Sequence, residues 1–306
     1  MRGLGRLRTV VAYANIQFWI FAVGGALLAL ALYFFPSVRR EPFPVHADRV
    51  ALSLDPAFTD AHIRLGQAAQ TDQRWREARS HFEAAIEADR WNLPAHLGLG
   101  IVARELGELE RSRGELETAR KLARLLPRTH GELGRTLLLL GREEEAREAL
   151  ARGRELGSTD LNLLVLEAVA AARGDHFQIA RARFAEARES VGDDVASLLG
   201  IARAARSAGM PGDAVATLQV ALIAAPENPE VRLEMGSTLL RMRRPEDALE
   251  HLEAAHATTV DDTEVLFQLG TAHRALSDEE QARTWWRQVL ETEPEHRRAR
   301  ARLGMP

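Results

Sequence analysis

Residues 195–228 read VASLLGIARAARSAGMPGDAVATLQVALIAAPEN, and residues 229–262 read PEVRLEMGSTLLRMRRPEDALEHLEAAHATTVDD. Set one above the other, the two stretches share small residues at positions 8 and 20, leucine at 24 and alanine at 27 of a 34-residue block. The register extends in both directions without insertion or deletion, giving seven blocks: 59–92, 93–126, 127–160, 161–194, 195–228, 229–262 and 263–296. A fixed period of this length marks a solenoid, in which each unit buries its apolar face only against its neighbours.

The shared positions have physical content. Position 8 is Gly66, Gly100, Gly134, Ala168, Ala202, Gly236 and Gly270; position 20 is Ala78, Ser112, Ala146, Ala180, Ala214, Ala248 and Ala282. Position 24 is bulky in every block, from Phe82, Leu116 and Leu150 through Phe184, Leu218 and Leu252 to Trp286. Positions 4, 7, 8 and 11 share one helix face, and 20, 24 and 27 share another. Between them lie helix breakers such as Gly209-Met210-Pro211-Gly212-Asp213, which end one helix and start the next. Each block therefore reads as two antiparallel helices whose backbones approach at the small residues.

This pattern, with Pro226 and Pro294 at position 32, resembles the tetratricopeptide repeat family. The resemblance implies an all-α chain whose residues 59–296 form a right-handed α-α superhelix of seven repeats. Two departures stand out at the third-to-fourth repeat junction, which they lead one to expect to be the loosest. Glu167 takes the apolar position 7, and Gly153 takes position 27 beside Gly157-Ser158.

Ahead of the repeats, residues 1–9 form a basic tail with Arg2, Arg6 and Arg8, and residues 10–35 run for 26 positions without a charge. At 1.5 Å per residue the stretch spans about 39 Å as a helix, enough to cross a bilayer. A cleaved signal peptide is the alternative, with Ala29-Leu30-Ala31 as its site, but apolar Leu32-Tyr33-Phe34-Phe35 follows where polar sequence should begin. The expectation is a single-pass membrane protein with the N-terminus cytoplasmic and the repeats periplasmic or extracytoplasmic. Asn15, Ala22, Gly25, Ala26 and Ala29 give the span a small-residue side suited to packing on another membrane helix. Residues 36–58 read as a proline-rich link and a capping helix, and residues 297–306 as an arginine-rich C-terminal cap.

Nothing in the chain points to catalysis. With 306 residues, no cysteine and a formal charge of −4, it has no thiol chemistry and no bulk case for nucleic acid. Gly98–Ala103 matches G-x-G-x-x-A, but inside a helix rather than at a strand-to-helix turn. His62, His96 and His130 recur at position 4 without a recurring acid beside them, so they read as packing residues. No enzyme, cofactor or metal is expected.

The resemblance does imply a working surface, the inner face lined by first-helix positions 2, 5, 9, 12 and 13. Position 5 offers Ile63, Leu97, Gly131, Val165, Leu199, Leu233 and Phe267; positions 9, 12 and 13 offer Arg104, Arg135, Arg173, Arg203, Arg206, Arg241 and Arg274. An apolar strip edged by guanidinium groups suits a partner segment carrying carboxylates. The Lys and Asn set with which some relatives clamp a C-terminal carboxylate is missing. The functional expectation is a membrane-anchored protein-binding scaffold, an accessory subunit or assembly factor of a membrane complex. A transient factor in envelope assembly, secretion or cytochrome maturation is the alternative, and an RNA-binding helical repeat a remote one.

Overall fold

The computed structural model describes residues 43–55 and 58–305, all of them in helices or the turns between them. The helices are α1 Phe43–Leu54, α2 Thr59–Thr71, α3 Trp75–Ala88, α4 Leu93–Glu105, α5 Leu109–Leu122, α6 Pro127–Leu139, α7 Glu143–Glu155 and α8 Leu161–Arg173. They continue as α9 Phe177–Val191, α10 Val195–Ser207, α11 Pro211–Ala224, α12 Pro229–Arg241, α13 Pro245–Thr258, α14 Thr263–Ala275, α15 Glu279–Thr292 and α16 Arg297–Leu303. From α2 to α15 the first helix of each pair begins at block position 1 and the second at position 17. Two compact units divide the described residues, one ending at Glu115 and the other starting at Leu116, within α5. Each is an all-α stack of helical hairpins of solenoid type.

The inside of a hairpin follows from three positions. Every residue at position 20 and every residue at position 24 is fully buried, Ser112 and Trp286 included. Position 8 is small because position 24 occupies its space. A methyl group on Gly134 would lie 2.4 Å from Leu150 Cγ, and one on Gly270 would lie 2.5 Å from Trp286 Nε1. Phe82 reaches further, since a methyl group on Gly98 would lie 2.4 Å from its Cζ. Interiors packed to this density do not absorb an extra carbon without movement.

The turns are equally regular. Position 15 has a positive φ in all seven pairs: Gly107, Gly141 and Gly209, but also Gln73, Asp175, Arg243 and Ser277. Glycine adopts this left-handed conformation freely, whereas the four side-chain-bearing residues hold it at a cost. Five of the seven repeats also start on a side-chain cap from the block before, the exceptions being α2 after Phe58 and α6 after Leu126. Asn92, Asp160, Asp194, Asn228 and Asp262, at position 34, accept hydrogen bonds from the first turn of the next helix, as does His296 for α16. Leu126 holds that position before α6, where no side chain caps the helix.

The expected looseness at the third-to-fourth junction is not found. α7 packs more closely on α8 than α9 does on α10, α11 on α12 or α13 on α14. Gly153 allows this approach, because a methyl group there would lie 3.0 Å from Leu163 Cδ1 and 3.2 Å from Pro127 O. Glu167 is buried, with hydrogen bonds from Arg154 at 2.9 Å and Arg183 at 3.0 Å. The loosest of these packings is α9 on α10, where α9 runs on to Val191 before the left-handed Gly192.

The single-pass membrane placement is corrected. No helix among the described residues is long and apolar enough to cross a membrane. The longest, α9, has 15 residues, about 22 Å against a hydrocarbon core of about 30 Å. The stretch on which that expectation rested, residues 10–35 with Asn15, Ala22, Gly25, Ala26 and Ala29, lies outside the described residues, as do the basic tail and residues 36–42. The proline-rich link is shorter than expected at its end, since Phe43 and Pro44 already belong to α1, where proline suits a first turn.

Candidate partner-binding site

In the first unit, Ile63, Leu97 and Arg104 are all buried, the last at 7% exposure. Arg104 Nε lies 3.4 Å from Glu105. The apolar position 5 thus closes into the packing rather than forming an open strip. The histidines of this unit are tied up separately. His62 Nδ1 lies 3.1 Å from His81 Nδ1, whereas His96 contacts Glu115 at 2.7 Å and Arg90 O at 3.0 Å. The hydrogen bond to Glu115 is the main reason the His96 pKa is raised, while burial lowers that of His81.

In the second unit, Leu199 and Phe267 are buried, and Val165 and Leu233 half-buried. Phe267 is covered by its own chain. The Trp286 ring lies 6.4 Å away, the His296 ring 5.5 Å, and the Arg298 guanidinium 4.4 Å above its face. Arg274 lies 5.5 Å from the Trp286 ring. Arg173 and Arg241 are exposed.

Arg203 and Arg206 are already engaged. Arg203 donates to Glu230 at 2.7 Å and to Glu234 at 3.3 Å. Arg206 reaches Glu234 Oε1 at 2.7 Å, an ion pair in which that oxygen accepts no well-aligned hydrogen bond. Glu234 is 6% exposed. An arginine at position 9 or 12 therefore faces positions 2 and 6 of the next repeat. This partner set was missed, although two acids one period further on were there to be read.

The same offset places Arg135 opposite Asn162 and Leu166, neither of them an acid. Here the inner face opens. A cavity of about 560 Å³ is lined by Leu126, Pro127, Leu163 and Leu166, by Arg128 and Arg135, and by Glu132 and the 157–160 turn. It lies where Gly131 replaces the apolar side chain that position 5 has in every other block. Neither Arg128 nor Arg135 has an ion-pair partner among the described residues, although Glu132 and Asp160 stand in the same lining. An uncapped helix start, two cations and an apolar wall together suit a carboxylate flanked by an apolar side chain. Among the described residues no three metal-ligating side chains converge.

Two family models, both described as tetratricopeptide repeat, match the chain: one at residues 63–127, 97–160 and 165–229, the other at 205–271. No curated protein sequence matches. Among solved structures, a tetratricopeptide repeat protein from Parabacteroides merdae superposes with a TM-score of 0.57 at 13% identity, over 80% of this chain and 97% of its own. PilW, a type IV pilus biogenesis factor, gives 0.55 at 14% identity over 80% and 98%. The Cut9–Hcn1 hetero-tetramer of the APC/C gives 0.53 at 21% identity, over 76% of this chain but 45% of the matched one. At these identities the likeness is one of fold.

Proposed function

Because the chain belongs to the tetratricopeptide repeat family, we propose that it is a non-catalytic protein-binding scaffold whose second unit captures a partner segment in the cleft at Gly131. The observation that carries this reading is the contrast between two pairs of inner-face arginines. Arg203 and Arg206 are neutralised by Glu230 and Glu234, while Arg128 and Arg135 line a cleft of mixed character and form no ion pair with Glu132 or Asp160, the two acids in its lining. The partner is a segment, extended or helical, with an acidic residue beside an apolar one. In the cell the chain serves as a subunit or an assembly factor of a protein complex.

The test is affinity purification of the full-length protein at native abundance, with quantification of what accompanies it. Arg128→Glu with Arg135→Glu should remove the partner, while Arg173→Glu, at an exposed site outside the cleft, should not. An unchanged set of co-purifying proteins in the double variant would sink the cleft as the site. Stoichiometric partners would mark a subunit, and substoichiometric ones an assembly factor.

A further inference from the structure

A second cavity in the second unit, of about 530 Å³, shares no lining residue with the first. Its wall is Arg120 and Lys121 from the end of α5, Arg124 and Leu125 from the following loop, His130 from α6 and Arg152 from α7. Four permanent cations surround it and no acid lines it. In a chain whose formal charge is −4, and whose arginines mostly pair with carboxylates, this concentration is unusual.

The cations are not spoken for. Arg120, Lys121 and Arg124 form no ion pair among the described residues, and Arg152 alone has one, with Glu155 at 3.0 Å. Arg120 Nε is shielded from solvent yet has no acceptor. His130 is buried, with Nε2 held 2.9 Å from Arg124 O, which fixes the floor to the loop. Helix C-termini attract cations, and Arg120, Lys121 and Arg152 each sit in a last turn. That preference does not explain why they converge on one acid-free cavity, or why a guanidinium N–H is left without an acceptor, an arrangement that is costly unless something binds there. An adjoining cavity of about 280 Å³ shares Arg120, His130 and Arg152 with this one and carries the nearest acids, Glu117, Glu145 and Glu148, of which Glu145 is taken by Arg142 at 2.6 Å.

We propose that this cavity is a binding site for a compact oligophosphate, a small soluble anion with two or more linked phosphoryl groups. A lone carboxylate would satisfy one cation. Linked phosphates place several charges and many acceptor oxygens within one small volume, and guanidinium groups meet them in bidentate fashion. Recognition stops at the phosphates, because the imidazole of His130 is the only ring in the lining. The proposal is independent of the cleft at Gly131.

Isothermal titration of tripolyphosphate into the full chain tests it, with pyrophosphate, orthophosphate and sulfate compared at matched ionic strength. One saturable site is expected, tightest for tripolyphosphate and weakened at least about tenfold by Arg120→Gln with Arg124→Gln. Lys121→Gln, at an exposed position, should weaken binding more mildly and covers the case in which the double variant misfolds. Arg241→Gln with Arg244→Gln, an exposed pair elsewhere, should leave binding unchanged. Equal weakening by both double variants, or no saturable binding, would overturn the site. A nucleoside triphosphate that bound far more tightly than tripolyphosphate would overturn the phosphate-only reading.

Discussion

Reversing Arg203 and Arg206 to glutamate looks at first like a clean test of inner-face binding, but the structure makes it a stability experiment. The Glu234 side chain is 8% exposed and both arginines contact it, at 3.3 and 2.7 Å. Removing both leaves a buried carboxylate without compensation, a loss of about 3–5 kcal/mol. The Arg203–Glu230 pair adds little, because those side chains are 47% and 56% exposed, and such pairs are worth about 0–1 kcal/mol. For a unit of this size about 2–4 °C accompanies each kcal/mol, so the melting transition of the second unit should fall by roughly 6–20 °C. Circular dichroism melts of the wild type and of Arg203→Glu with Arg206→Glu read this directly. A third change, Glu234→Leu, matches Leu166 at the same block position and should recover most of the loss. If the double variant melts within about 2 °C of the wild type, Glu234 does not depend on these arginines and the account of the network is wrong.

Other outcomes follow from the packing and the titrating groups. Gly270→Ala should destabilise by about 1–3 kcal/mol in urea unfolding, since its methyl group would press on the fully buried Trp286. Gly200→Ala, which meets nothing within 4 Å inside α10, should stabilise by about 0.5–1 kcal/mol. Arg243→Gly should stabilise by up to about 1–2 kcal/mol, because φ there is +59°; equal stability would mean the turn is not strained. Glu115 raises the His96 pKa, so the stability this contact contributes is full below about pH 6.5 and is lost as pH rises through the raised value. His96→Gln should therefore cost more at pH 5.5 than at pH 8, with imidazole NMR titration locating the midpoint. His81 acts in the opposite sense. Its pKa is lowered by burial, so below about pH 6.5 the unfolded chain takes up that proton first and stability falls.

The repeat geometry was legible because it depends on residue size at fixed intervals. Gly134 against Leu150 and Gly270 against Trp286 are relations within one block, sixteen positions apart, and the period displays them. What the period does not display is a contact between side chains at different positions, whether in one block or across two. Glu167 looked like a weak point when read only against its own position. Its partners, Arg154 in the block before and Arg183 on the second helix of its own, lie in other positions. The neutralisation of Arg203 and Arg206 escaped notice for the same reason. Arginines at positions 9 and 12 mark a charged face along the sequence, and only the neighbouring helix, which presents Glu230 and Glu234, shows that the charge is met. The cleft at Gly131 does not show in the pattern, because a glycine in an apolar row says nothing of its neighbours: Leu163 of the next block sits where the missing side chain would be, and the cleft opens around that contact.

The caps at position 34 change where this chain can be cut. Counted from position 1, a repeat looks self-contained, yet the side chain that closes the start of its first helix belongs to the preceding block. A fragment beginning at Pro229 or Thr263 would discard Asn228 or Asp262 and expose unsatisfied N–H groups at its new first turn. Circular permutation, repeat deletion or grafting of single repeats should therefore break the chain near position 16, in the turn between paired helices. The heritable module counted along the sequence and the mechanical module that can be transplanted are offset by half a period.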